Sequence, residues 1–303
     1  MLLSSWLWAV FTIIAAAAQT VRNATQRSLT VSLGTVGATH VRFLFGLPFS
    51  VLFLIGVMIA LDRSLPRPPD IYWPWVFEGA ITQFAATALM LATMGERSFV
   101  VTIAYIKTEP IQVALFGFLL LGDHVTLPMA LAIFIATAGV VLMSLRPGTA
   151  SQMFSGNLKP TLLGLGSGAL FGLSAIGYRG AILSLNDPSF VMAATFTLVV
   201  GLLIQSVLLT LYLYARDRAV LFAIFKAWRP SLFAGFMGAF ASQFWYLGFA
   251  IATAASVRTL ALVEVLFAQG VSYFVFKQPT SPREAFGIVL IVIGVVLLIW
   301  AYQ

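Results

Sequence analysis

The sequence predicts an all-α integral membrane protein with ten transmembrane helices, arranged as two inverted five-helix repeats. Three observations predict it. Hydrophobic residues make up 60% of the chain and charged residues 9%, with a mean hydropathy of +1.00, a balance that excludes an ordinary soluble domain. Apolar runs of spanning length recur from one end to the other. The chain also matches itself when displaced by 155 residues.

The self-match is carried by residues that are scarce here. Asp62 and Arg63 fall on Asp217 and Arg218, Trp73 on Trp228, and Glu109 on Glu264. Gly139-Val140-Val141-Leu142 falls on Gly294-Val295-Val296-Leu297, and Gly46-Leu47 on Gly201-Leu202. Apolar coincidences are expected in such a chain, whereas charged and Trp matches at one unbroken offset mark a tandem duplication. The repeats are read as residues 1–147 and 156–303.

A bilayer core about 30 Å thick takes about 20 apolar residues per helix. The first helix is placed near 3–28. Its Ala15–Ala18 run reads as helix packing, because the basic residues of a cleavable signal are missing. The second, near 35–61, ends at the polar, proline-rich stretch Asp62–Pro69. The third, near 71–94, opens with Trp73 and Trp75, read with Trp228 as interfacial anchors. The fourth and fifth lie near 98–121 and 125–145, and a polar linker from Arg146 to Asn157 follows. The second set lies near 158–184, 188–215, 229–252, 256–277 and 282–302. The first of these is dense in glycine from Gly164 to Gly172, which suits close, mobile helix packing. It is not a phosphate loop, since no Gly-Lys-Ser/Thr follows.

Five helices per repeat is an odd number, so the second copy enters the membrane from the opposite side. Inverted repeats are the usual ancestry of alternating-access transporters, with the substrate site near the midplane. The net charge of +7 is accordingly read by side of membrane and not as a nucleic-acid signal. One side collects Arg97, Arg146, Lys159, Arg216, Arg218, Lys226, Arg229, Lys277 and Arg283, with Arg22 and Arg27 if they lie outside the first helix. The other collects Arg63, Arg67 and Arg179. The positive-inside rule then puts both termini outside.

Ionisable groups at bilayer depth are costly and mark function. On the fourth helix Thr102, Tyr105, Glu109 and Gln112 share one stripe at about 100° per residue, while Lys107 projects elsewhere. Glu109 is therefore assigned to the cavity. Pro110 removes an intrahelical hydrogen bond and frees the carbonyl of Ile106. Glu264 is its equivalent in the second copy, with Arg258 too far round the helix for an easy intrahelical pair. Each glutamate reads either as a salt bridge locking helices together or as a protonatable carboxylate that couples transport to protons or binds an amine.

Arg42, two turns into the second helix, keeps its charge and needs an acidic partner or an anionic ligand. Glu109 and a substrate carboxylate or phosphate are the two candidates. Gln83 on the third helix, and Gln243 and Tyr246 on the eighth, are candidate orienting contacts; the alternative is that they hold helices together. Embedded cations (Arg22, Arg42, Lys107, Arg179, Arg258) outnumber the deep acids, which favours a substrate with a negative group.

With no cysteine, disulfides, thiol chemistry and Cys-ligated metal are excluded. The two histidines form no metalloprotease motif, and Ser167 has no evident base. The chain is read as no enzyme, with no metal and no cofactor.

Leu121-Gly122-Asp123, followed by Gly139-Val140-Val141-Leu142 near the end of the fifth helix, resembles the EamA domain of the drug/metabolite transporter superfamily. The resemblance covers the chain as two EamA domains. It implies a permease or exporter of the bacterial inner membrane with ten helices and both termini cytoplasmic, opposite to the charge count, and orientation stays open. The chain departs from the family pattern at Asp123, where a glutamate is usual, and at Lys277-Gln278, which replaces the Gly-acid pair.

The expectation is a secondary transporter of a small polar metabolite, anionic or zwitterionic, an amino acid for example. Arg42, Tyr105, Glu109, Gln112 and Gln83 contribute from one half, and Gln243, Tyr246, Arg258 and Glu264 from the other. Flipping of a lipid or lipid-linked substrate and a non-transporting scaffold are the alternatives. A monomer suffices, because one chain holds both halves, with a dimer as the alternative. Its partners are the substrate and the lipid bilayer, with proton coupling left open.

Overall fold

A computed structural model of the chain describes residues 2–96, 105–144, 158–274, 277 and 280–301. Every regular element among them is helical. In chain order these are α1 (Leu2–Leu44), α2 (Gly46–Leu61), α3 (Tyr72–Glu96), α4 (Glu109–Phe116), α5 (Leu127–Ser144), α6 (Leu158–Ser184), α7 (Phe190–Arg216), α8 (Arg218–Lys226), α9 (Trp228–Ile251), α10 (Ala254–Leu260), α11 (Glu264–Phe274) and α12 (Pro282–Ala301). One π turn, Gly117–Leu121, extends α4, and a tight 3-10 turn, Ala261–Val263, links α10 to α11.

Among the described residues five helices are long and apolar enough to cross a membrane, namely Ser32–Leu61, Thr161–Ser184 within α6, and α5, α7 and α12; a sixth is added if α8 and α9, bent by 90°, count as one. The sequence places ten. The expected fourth and ninth helices are each interrupted, and residues 97–104 lie outside the described set.

The helix boundaries differ from the sequence reading in three informative ways. The first two expected helices run almost continuously, interrupted at Gly34, whose backbone (φ 65, ψ 176) is not helical. That conformation is essentially open to glycine alone. The expected fourth helix is broken, with Lys107 and Thr108 forming a turn before α4. Pro110, in the first turn of α4, has no N–H to donate and favours a helix start there. The third is α8, which sequence reading passed over as a loop.

Contacts divide the chain into two compact units, and neither is a sequence half. Unit 1 comprises Met1–Ser5, Ile81–Gly177 and Ala252–Gln303; unit 2 comprises Trp6–Ala80 and Tyr178–Ile251. Each draws on both copies of the duplication.

In unit 1 the dominant packing is α5 against α12, two helices that the 155-residue offset aligns. A Cβ on Gly139 would lie 2.7 Å from the carbonyl oxygen of Gly287, and one on Gly294 2.6 Å from the amide nitrogen of Ala136. The aligned glycines thus let two backbones touch, as small residues do where lipid gives helices no hydrophobic reason to associate. Ala136, Val140, Leu262 and Ile291 fill the rest of the contact.

Unit 2 is built on α2, α7 and α9, each packed on the other two. Gly46 and Gly235 bring α9 against the start of α2, where a Cβ on Gly235 would meet Phe45 at 2.5 Å. Edge-on contacts of Phe49 and Phe53 with Phe236 continue that seam. Trp73 and Trp228 are exposed, as anchors require. Trp75 is not an anchor of that kind: its ring covers Gly180, where a Cβ would sit 2.5 Å from it.

Candidate functional site: crossed ion pairs and buried arginines

In unit 1 the two equivalent glutamates each open a helix. Glu109 is the first residue of α4 and Glu264 the first of α11. Each follows a distortion: Lys107 and Thr108 in one copy, the Ala261–Val263 turn in the other. Thr108 closes its turn on Tyr105, whose carbonyl accepts from the Thr108 hydroxyl at 2.7 Å. A helix start leaves several N–H groups unsatisfied and favours an adjacent negative charge.

The pairing of these acids crosses between the copies. Arg258 donates to Glu109 through Nε at 2.6 Å and Nη2 at 2.7 Å, a two-pronged contact. Lys107 donates its ammonium to Oε1 of Glu264. The side chain of Glu109 is 8% exposed and that of Glu264 16%. Buried pairs of this kind hold only while both charges and their hydrogen bonds are present. Arg258 is carried by α10, a short helix capped by Thr253, whose hydroxyl accepts from the amide of Ser256 at 3.2 Å.

Two sequence expectations change here. The projection that turned Lys107 away from Glu109 assumes an unbroken helix, and the helix is interrupted at Lys107. Arg258 takes Glu109, the acid considered for Arg42. Thr102, the first member of the expected stripe, lies outside the described residues.

Tyr105 and Gln112 pack against α6. The Tyr105 phenol shares a 2.9 Å hydrogen bond with Thr161, and its ring lies where a Cβ on Gly164 would come within 2.6 Å. Gln112 donates to the carbonyl of Leu165 at 3.4 Å, while its Oε1 is buried without a hydrogen-bond partner among the described residues. The Gln83 carbonyl accepts from the hydroxyl of Thr87. Ser167 donates to the carbonyl of Ala86 at 2.8 Å.

Unit 2 holds a separate polar cluster. Arg22 and Arg42 lie side by side over Gly238, where a Cβ would meet the Arg42 Cγ at 3.0 Å and the Arg22 Cδ at 3.7 Å. Arg22 is 7% exposed, and the Arg42 guanidinium also lies 5.0 Å from the centre of the Phe43 ring. The rings of Tyr178 and Tyr246 pack at a tilt with centroids 4.9 Å apart, and both phenol oxygens lie near Gly201, 3.5 and 3.2 Å from a Cβ placed there. Gln243 donates to Thr195 at 2.8 Å and keeps a buried Oε1 without a protein partner among the described residues. Arg179 donates to the carbonyl of Phe249 at 2.6 Å, and His40 shares a bond with Thr210 at 3.0 Å.

Sequence reading did not foresee that Arg22 joins Arg42, or that Tyr178 partners Tyr246. A signal existed for the first: Arg22 and Arg42 are the only basic residues of their apolar surroundings apart from Arg27 and His40. Among the described residues no group of three or more His, Cys, Asp or Glu side chains is placed to hold a metal.

No family model matches the chain, and no curated protein matches its sequence. Its fold, however, has known counterparts, and 28 chains of solved structures match it. One, described as "crystal structure of protein", superposes with a TM-score of 0.71 over 99% of this chain and 97% of its own, at 13% identity. The likeness is one of fold. An identity so low carries over no ligand and no activity.

Proposed function

We propose that the chain is a secondary transporter, moving a small polar metabolite with an anionic or zwitterionic group by alternating access across a bacterial inner membrane. In this reading the ten expected helices form two inverted five-helix repeats, as in the EamA domains that the sequence resembles. One observation carries the proposal. The two glutamates related by the duplication sit at helix breaks within apolar helices, and each is held by a cation from the other copy. Charges are kept at such depth, and helices are interrupted there, where membrane proteins handle polar cargo.

Arg22 and Arg42 support the anionic preference. Two arginines over one glycine concentrate positive charge that neither can lose. Arg42, Gln243 and Tyr246 then serve as substrate contacts, while Glu109, Arg258, Lys107 and Glu264 hold the conformation that transport must change.

Counterflow in proteoliposomes tests this, with labelled amino acids, organic acids, sugar phosphates and nucleosides. Wild type runs beside Glu109→Gln and Arg42→Ala, each checked by size exclusion and melting. Substrate-specific accumulation lost in a folded variant supports both transport and the site. Accumulation kept by both folded variants sinks the site, and no accumulation across the panel turns attention to lipid flipping or a scaffold.

A further inference from the structure

The short helix α8 has no role in the site, and its surroundings are unusual. It meets α9 at 90°. If α9 crosses the bilayer, α8 lies along its surface. It is docked by one edge: Ile224 is fully buried among Leu29, Leu33, Val41 and Leu213, with Val220 packed beside it. At about 100° per residue the opposite edge presents Arg218, Phe222, Phe225 and Lys226. Phe222 is 70% exposed and Phe225 56%.

The charge on this face has one sign. Arg216, Arg218, Lys226 and Arg229 are all exposed. The one acid of the stretch, Asp217, spends its Oδ1 on the amide of Val220 as the helix cap. Arg218 lies 4.2 Å over the Tyr214 ring and Arg229 5.4 Å from the Trp228 ring, so basic and aromatic groups alternate along the face. Aromatic side chains at the acyl boundary with cations at headgroup level are the composition of a helix lying in a membrane interface.

The first copy lacks this device. Its equivalent segment, Arg63–Ile71, carries Pro66, Pro68 and Pro69, and only its last residues form a turn. Arg63 there faces Asp187 at 3.3 Å. The helix belongs to one end of the duplication only.

We propose that α8 and its flanks form an interfacial binding surface for the headgroups of anionic phospholipids. Phe222 and Phe225 enter the acyl boundary, while Arg216, Arg218, Lys226 and Arg229 take the phosphates. Each basic residue near an anionic leaflet strengthens binding about fivefold, with an effect that weakens as salt rises.

The test uses the full chain in mixed micelles. Melting is followed with dioleoyl phosphatidylglycerol or dioleoyl phosphatidylcholine added, for wild type and for the variant with Arg216, Arg218, Lys226 and Arg229 all changed to Gln. The expected result is a rise of several degrees with the anionic lipid over the neutral one in wild type, halved or more in the variant. Equal stabilisation by both lipids, or an undiminished preference in the variant, overturns the proposal. Because the chain has no cysteine, Phe222→Cys carries a single polarity-sensitive dye and decides the matter even if the fourfold variant does not fold. In vesicles containing phosphatidylglycerol its emission shifts to the blue and is quenched by shallow lipid-borne quenchers. Emission as in water, unchanged by those vesicles, overturns the surface assignment.

Discussion

Glu109 and Glu264 occupy equivalent places in the two copies, and each is ion-paired with a cation of the other copy. Arg258 reaches Glu109 from the second copy and Lys107 reaches Glu264 from the first. The two cations are not themselves equivalents: Lys107 lies two residues before its local glutamate and Arg258 six. The acids are what the duplication kept, and the bases were supplied from different positions to the same end.

Breaking one pair leaves an uncompensated buried charge. Arg258→Met is expected to destabilise the folded protein by about 3 kcal/mol. Adding Glu109→Gln to it recovers most of that loss, because both charges are then gone. Thermal or denaturant unfolding of wild type, both singles and the double completes the cycle, and simple additivity would sink the direct coupling.

Reversing the second pair tests the geometry instead of the charge. Lys107→Glu and Glu264→Lys each place like charges together and are expected to abolish counterflow. The double reversal restores part of it. No recovery in a double variant that melts like wild type would mean that the two side chains act separately.

The helix seam of unit 1 sets a steric prediction. Gly139→Ala drives a methyl into the backbone of Gly287 and Ile291, and the expected destabilisation is about 1–3 kcal/mol. Gly56, with nothing within 4 Å of its would-be Cβ, is the control. Gly56→Ala is expected to be neutral or stabilising by about 0.5–1 kcal/mol through helix propensity. Equal melting shifts for the two would refute the seam.

Gly34 breaks the first long helix with a backbone that other residues resist. Gly34→Ala costs on the order of 1–3 kcal/mol if that break is kept. A stabilised variant would show instead that the helix prefers to run straight through.

Much of the fold was legible because apolar length and punctuation are the same physics that the helices obey. Asp62–Pro69 ends one run and prolines restart others, so most boundaries fall within a few residues. What was missed depends on short-range detail. α8 is too short to register as an apolar run, although Asp217 as a cap, Val220 and Ile224 one turn apart, and Lys226 at the end spell an amphipathic helix. The break before Glu109 was hidden because a wheel projection presumes the helix it is applied to; Pro110 was the warning. Of the site, the charged residues were found by their cost in an apolar setting, which needs no partner to be known. Their pairing was not, since it joins residues 149 and 157 positions apart and one sequence says nothing of such distances.

The seam between α5 and α12 has a consequence for how the molecule is made. α5 is complete on the ribosome before the second copy has been translated, and the helix whose backbone it must touch, α12, belongs to that second copy. Until then the glycine face of α5 waits without its partner. A chain cut between α11 and α12 therefore leaves Gly139 without the backbone of Gly287 that it is shaped to meet.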